Sequence, residues 1–369
     1  VQGARRAVPH WRGNLMTKEA KRKEGGAKSA HRPVVTIHDV ARHAGVSSMT
    51  VSRVMTGKRH VSEAMREKVN AAIAELEYSP NLNARSFSSA VRVGAIYSNP
   101  SSSNLGTFLM GAFRQSGESG CQFLIEPGAS EAEAIASLHR LVEARIGGVI
   151  LPPPLCDSQA LLDLAASADV IPLAFATAIP REGISAIIVD DYKGAFDMTR
   201  YLIGKGHRAI GFIQGDPSHS PSQRREQGYR AAMAGASLRI RDEWIAPGLF
   251  NYRSGLDAAR QLLDQPNRPT AIFASNDDMA AAVTAVAHGL NLRIPGDLSI
   301  AGFDDAQIAA TIWPELTTIR QPISDMASRA VALLSDQVRE ARTGARPEVK
   351  HVREMLTLVE RASTGAPID

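Results

Sequence analysis

Apolar and polar positions divide the chain into three regimes. The first 33 residues carry no apolar period, only Gly, Pro and scattered Arg and Lys, and are expected to be disordered. A helical period follows: Ile37, Val40, Ala41 and Ala44 fall at i, i+3, i+4 and i+7, and Thr36 with Asp39 is spaced as a capping-box-like start. Gly45 breaks this helix, and Ser47 is placed as the N-cap of the next, whose inner side is Val51, Val54 and Met55. Ser62 opens a third helix, with Met65, Val69, Ala72, Ile73 and Leu76 on its apolar face and Pro80 as its stop. Ala44-Gly45-Val46 leaves room only for a sharp turn, so the first two helices read as a helix-turn-helix.

From Val91 onward short apolar runs alternate with amphipathic stretches. Strands are predicted at 91–97, 122–125, 148–151, 170–174, 187–189, 209–213, 271–274, 298–301 and 317–319. Helices are predicted at about 104–118, 130–144, 158–166, 193–205, 222–235, 253–265, 277–290 and 323–342. Such alternation predicts doubly wound parallel sheets, whose ligands bind beyond the carboxyl ends of the strands.

Charge sharpens this picture. The net charge of +4 hides a gradient, +7 over residues 1–33, +2 over 34–89 and −5 over the remainder. A phosphate-seeking head on a body without that role has this distribution, although a basic tail can also be merely solvated. With 369 residues, 44% hydrophobic and 22% charged, two or three ordinary globular domains are expected. Cys121 and Cys156 have neither metal-ligand spacing nor a disulfide framework and are expected to be buried thiols in a reducing cytoplasm. There is no apolar core of a signal peptide and no stretch long enough to span a bilayer, which again points to the cytoplasm.

On a helix-turn-helix the first turns of the second helix reach base edges, so Ser48, Met49, Ser52 and Arg53 are expected to point outward there. Of Ser48, Met49 and Arg53, placed as base contacts, Arg53 alone can clamp a guanine bidentately, while Thr50 and Ser52, with Asn81, are expected to hold phosphates. Thr36, Ser47 and His60 complete the DNA-facing candidates; ordinary surface or backbone contacts would also account for His60, as for His43. The phrases "TIHDVARHAGVSSMTVSRVM", "HVSEAMREKV" and "ELEYSPNLNARSF" closely resemble the headpiece of the lactose-repressor (LacI/GalR) family of bacterial regulators. The resemblance implies a headpiece over 34–80 and a hinge over 81–89, a segment too short to stay helical alone and expected to fold when paired with its twin on DNA. Where the family's hinge wedges a leucine into the minor groove this chain has Phe87, which could instead pack in an interdomain contact; Ala84 lies in the same segment. The family begins close to its headpiece, so residues 1–33 are a departure, either an over-extended start with Met16 as a later candidate or a basic arm.

The phrases "GHRAIGFIQG", "FASNDDMA", "RIPGDLSIAGFDD", "LTTIRQPI" and "LVERAST" are similar to the family's two-lobed core, which is like a periplasmic sugar-binding protein. The implied fold is an N-terminal all-α helix-turn-helix headpiece plus an α/β two-lobed core. Lobe one is about 90–190 and 322–348, and lobe two about 191–321 and 349–369. By resemblance Arg225 is the effector-binding arginine, whose planar fork suits two neighbouring hydroxyls or the carboxylate of an acid sugar. Asn276 and Asp304 match the amide and carboxylate contacts, Phe250 the aromatic wall, and Asn104 falls in "YSNPSSSNLGTFLMGA", where the family binds part of its effector. The competing assignment makes Arg225 a salt-bridge residue and Phe250 core.

Other chemistry is thin. Asp277–Asp278 and Asp304–Asp305 could suggest a glycosidase pair, but adjacent acids at a strand end are more often caps and hydrogen-bond acceptors. There is no GxSxG, phosphate-cradling GxxxxGK[ST] or HExxH, and Gly206-His207-Arg208 reads as a helix C-cap and turn. No catalytic residue, metal or cofactor is expected. The chain is therefore expected to be a cytoplasmic, nucleoid-associated repressor of carbohydrate-utilisation genes, binding a pseudo-palindromic DNA operator under control of a small-molecule effector, by preference a sugar. A purine or other metabolite is the alternative effector; a sugar-binding module without gene regulation and an enzyme are the alternative classes. The family's tetramers carry an added carboxyl-terminal helix, and only Gly365 to Asp369 follow "LVERAST", so a homodimer is expected.

Overall fold

The computed structural model describes residues 37–55, 61–76, 90–99 and 101–368. Thr36, His60, Asn81, Ala84 and Phe87, with the expected extension 1–33 and hinge 81–89, lie outside the described residues. The chain divides into two units, the first ending at Arg85 and the second beginning at Ser86.

In the first unit, α1 (Ile37–Ala44) and α2 (Ser48–Met55) are joined by the predicted turn, and α3 (Glu63–Glu75) packs against both. Gly45 takes φ +64°, a conformation that costs a side-chain-bearing residue energy. It lets Val46 N donate back to Ala41 O at 3.0 Å and Gly45 N to Arg42 O at 3.3 Å, which closes α1. Ser47 caps α2 as expected, its Oγ accepting from Thr50 N at 3.1 Å. Val40, Ala41, Val51, Val54, Val69 and Ala72 form the core. Ser62 holds the N-cap position of α3, but its side chain makes no capping bond. Met65, assigned above to the apolar face, is 37% exposed, because the inner line of α3 runs through Val69 and Ala72.

The second unit is built on two six-stranded sheets. The first contains β1 (Arg92–Tyr97), β2 (Gln122–Pro127), β3 (Gly148–Leu151), β4 (Ile171–Thr177), β5 (Ser185–Val189) and β11 (His351–Glu354), in the order β11-β5-β4-β3-β1-β2, all parallel. The second contains β6 (Ile210–Ile213), β7 (Ile245–Ala246), β8 (Ala271–Ala274), β9 (Ser299–Asp304), β10 (Thr317–Arg320) and β12 (Thr357–Val359), in the order β12-β10-β9-β8-β6-β7, with β12 antiparallel. Central strands such as GVIL and AIFA are buried along their whole length, as a sheet covered on both faces requires.

Alternation along each strand feeds two cores per sheet. In sheet one, Val93, Leu173 and Phe175 meet α4 (Ser102–Ser119) and α11 (Ile323–Arg342), while Val149 and Ala174 meet α5 (Glu131–Glu143) and α6 (Gln159–Ser167). In sheet two, Phe212 and Phe273 meet α7 (Asp191–Gly204) and α8 (Ser220–Gly235), while Ile272 and Ala274 meet α9 (Tyr252–Leu263) and α10 (Asp277–Gly289). Cys121 and Cys156 are free, and burial pushes the Cys156 thiol up to about 12.

The chain crosses between the sheets after β5, after β10 and after β11. The last crossing corrects the sequence-derived boundary: residues 351–354 were assigned to lobe two, yet His351–Glu354 pairs with Ala186–Val189 in sheet one. Its burial alternates between exposed and intermediate, so it carries no buried apolar run, and β12, Thr-Leu-Val, is only three residues long.

Helices α4 and α11 approach closely at Gly111, where an added Cβ would strike the Ser324 carbonyl, whereas Gly117 in the same helix faces open space. Gly111→Ala is expected to destabilise the protein by about 1–3 kcal/mol, and Gly117→Ala to stabilise it by roughly 0.4–1 kcal/mol. Urea unfolding of the two variants beside the parent checks the pair.

Candidate functional site

Two surfaces carry the candidate residues, one in each unit. In the headpiece, Val51 and Val54 turn the inner side of α2 into the core. On the other side Met49 is 63% exposed and Arg53 is exposed, while Ser48, Thr50 and Ser52 are half-buried, so the outward face is narrower than the sequence implies. Ser47 Oγ also lies 2.9 Å from Thr50 Oγ1, which draws both hydroxyls into the helix start. His43 Nε2 lies 2.7 Å from Glu75 Oε2, joining α1 to the end of α3.

The second surface is a cleft between the two lobes, about 630 Å³ with its open mouth included, and concave clefts between lobes are where small ligands bind. It lies where strands end: Tyr97 closes β1, Asp304 closes β9, Asn276 follows β8 and Gln321 follows β10. All five residues proposed from the sequence, Asn104, Arg225, Phe250, Asn276 and Asp304, line it. Sequence reasoning missed Tyr97, Asn99, His219 and Gln321, which line it too. Position at a strand's end, last in the strand for Tyr97 and just after it for Gln321, was the available signal.

Arg225 is buried, and two of its donors are committed. Nε donates to Asp191 Oδ1 at 2.8 Å and Nη1 to the Ser275 carbonyl, with Asp304 Oδ1 3.8 Å from Nη1. The guanidinium carbon sits 3.7 Å from the Phe303 ring centroid and 5.6 Å from that of Phe250. Arg225 is thus a salt-bridge residue and a cleft residue together. Phe250 likewise belongs to the lobe-two core while its ring lines the cleft. Asn276 caps α10, Oδ1 accepting from Met279 N at 3.0 Å, and Nδ2 donates to the Phe250 carbonyl at 2.9 Å.

Asp304 has φ +115° and is gripped by Gln321, whose Nε2 donates to Oδ1 at 2.6 Å. Burial pushes its carboxyl up to about 6, against the opposing pull of Arg225 and the Gln321 amide. Burial raises Asp191 too, again against Arg225. The neighbouring acids serve structure: Asp277 accepts from Thr318 Oγ1 at 2.6 Å and Ala306 N at 2.8 Å, and Asp305 pairs with Arg320 and Arg361 at 2.6 Å each. Gly206 and His207 close α7 as predicted, His207 N donating to Leu202 O at 3.2 Å. Among the described residues no cluster of His, Cys, Asp and Glu could hold a metal ion, and no helix is long and apolar enough to cross a membrane.

A helix-turn-helix head on a two-lobed body with a cleft at its strand ends defines a ligand-responsive DNA-binding regulator. The model for bacterial regulatory proteins of the lacI family matches residues 36–81, and that for a periplasmic binding protein-like domain matches 199–364. The ribose operon repressor of Escherichia coli (strain K12) is 34% identical over 338 residues, covering 89% of this chain and 100% of the relative. An HTH-type transcriptional repressor PurR of Serratia proteamaculans (strain 568) is 32% identical, covering 90% and 97%. The lac repressor dimer bound to operator and the anti-inducer ONPF is similar with a TM-score of 0.75 at 27% identity, covering 90% and 99%. The chain belongs to the LacI family of bacterial transcriptional regulators. That family consists of DNA-binding repressors with an effector-binding domain rather than enzymes.

Two outcomes follow from the cleft's electrostatics. Arg225→Ala leaves Asp191 buried without its partner and is expected to cost about 3–5 kcal/mol, read by denaturant unfolding. For Asp304 the folded pKa lies above the ordinary value near 4, so its contribution is fully present below about pH 4 and is lost as pH rises to about 6. The melting temperature of Asp304→Asn, relative to the parent, should therefore rise across that window and level off above it.

Proposed function

We propose that this regulator represses carbohydrate-utilisation genes, binding a pseudo-palindromic operator as a nucleoid-associated homodimer, with a sugar in the interlobe cleft as its effector. The observation that carries the reading is the convergence of Asn104, Arg225, Phe250, Asn276 and Asp304 on one cleft at the strand ends. Amides, a guanidinium and a carboxylate suit the alternating donors and acceptors of a polyol, and an aromatic ring suits the C–H face of a pyranose. The E. coli relative, a ribose operon repressor, supports the same choice. A purine or other flat metabolite is the second reading, favoured by the walls Tyr97, Phe175 and Phe250.

On the DNA side, Ser48, Met49 and Arg53 contact bases, Thr50, Ser52 and Asn81 hold phosphates, and Thr36, Ser47 and His60 complete the docking face. The hinge at 81–89, with Ala84 in its helix and Phe87 as its wedge, couples the cleft to the operator by folding only on specific DNA. Such coupling extends as far as the effector prefers one state over the other.

The test is a band shift with the chain's own upstream DNA, with and without sugars. Retardation that a sugar changes is expected; upstream DNA that the protein ignores would sink the reading. Arg53→Ala should cost about 1–3 kcal/mol of operator affinity and relax one position per half-site. Unchanged affinity and base preference in that variant would overturn the docking face.

A further inference from the structure

The charges around the cleft narrow the ligand further, on the proposed reading of a sugar-binding cleft. A second cavity opens beside it, sharing His219 and lined by Glu131, Asp157 and Asp216. Among the described residues lining the two, Arg225 is the one Lys or Arg, and Asp304 adds a fourth carboxylate. Burial holds the His219 imidazole below its ordinary range, so it adds no positive charge at neutral pH. Arg225 divides its one charge between Asp191, 2.8 Å away, and Asp304, 3.8 Å away, so two carboxylates already face it and the others are left to outweigh it. Helix N-termini at the cleft pull the other way with about half a charge each. The start of α10, however, already faces its own Asp277 and Asp278.

Two polar atoms at the cleft are also buried without a hydrogen-bond partner: Tyr97 Oη, from lobe one, and Gln321 Oε1, at the second chain crossing. Gln321 is 8% exposed, and its amide orientation follows from Nε2 donating to Asp304. Its Oε1 is therefore an acceptor lacking a donor, and Tyr97 Oη can both give and take a proton. Buried polar atoms of this kind are costly unless something occupies them.

We propose that the cleft selects an electrically neutral polyhydroxylated ligand and rejects phosphate esters and sugar acids, with Tyr97 Oη and Gln321 Oε1 as specificity contacts. Hydroxyls satisfy both orphaned atoms and the free Asp304 oxygen without adding charge. A phosphate or carboxylate brings a like charge into an acid-lined, partly enclosed space.

Calorimetric titration of the full chain tests this with neutral pentoses, hexoses and disaccharides beside their phosphate esters, sugar acids and purine bases. A neutral sugar should bind, its ester or acid at least about 100-fold more weakly. An ester or acid that binds as tightly overturns the charge selection and leaves the sugar reading standing. Binding by purine bases alone, or by nothing in the panel, overturns the sugar reading itself. Tyr97→Phe removes only the orphaned hydroxyl, so the melting temperature should hold or rise while affinity for the best neutral sugar falls about 10-fold. Unchanged affinity in that variant removes Tyr97 from the contacts.

Discussion

A guanidinium taken out of water must find acceptors for its donors, and the lobe-two side of the cleft is arranged around that requirement at Arg225. Asp191, which receives Nε, opens α7 directly after the first chain crossing; Ser275, which receives Nη1, follows β8; the Phe303 ring beneath belongs to β9. Asp304, at the end of that strand, is held in turn by Gln321 in the second crossing. One buried cation thus ties the ends of two strands and a helix start together, and reaches a second crossing through Asp304. The same side chains that build this floor face the ligand, so binding and scaffold are not separable there.

Asp277 repeats the arrangement on a smaller scale. Its two oxygens fix Thr318 in β10 and the backbone of Ala306 just beyond β9. Burial, with the nearby charge of Asp304, drives its carboxyl well above the ordinary range. Asp305 carries the ion pairs to Arg320 and Arg361 instead, leaving Asp304 alone of the pair to face the cleft. Consecutive positive φ angles at Asp304 and Asp305 turn the two side chains to these different tasks.

The central strands and the covering helices were legible in the sequence because burial on both faces writes an unbroken apolar run, as in GVIL at β3 and AIFA at β8. The strands that escaped, β7, β11 and β12, each stand at a sheet edge; β11 alternates exposed and half-buried residues, and β12 is three residues with none fully buried. Missing β11 is what displaced the last lobe boundary. Within the cleft, Arg225, Asn276 and Asp304 were found through family phrases, whereas Tyr97 and Gln321 have no chemistry that stands out in one dimension. Their importance arises from burial without a partner, and that is a property of the fold. Met65 fails for a related reason: helical period says which residues share a face, but not how far the neighbouring helices extend over it.

The order in which the chain visits its two sheets has a consequence for how such a molecule can change. Sheet one draws strands from residues 92–189 and 351–354, and sheet two from 210–320 and 357–359. No single exchange of gene segments can transplant one lobe intact, because every contiguous piece that completes a lobe carries part of the other. The helix-turn-helix unit, by contrast, is one continuous stretch ending before the sheets begin. Recombination can therefore hand the body a new address on DNA in one step, while a new ligand preference must be acquired side chain by side chain.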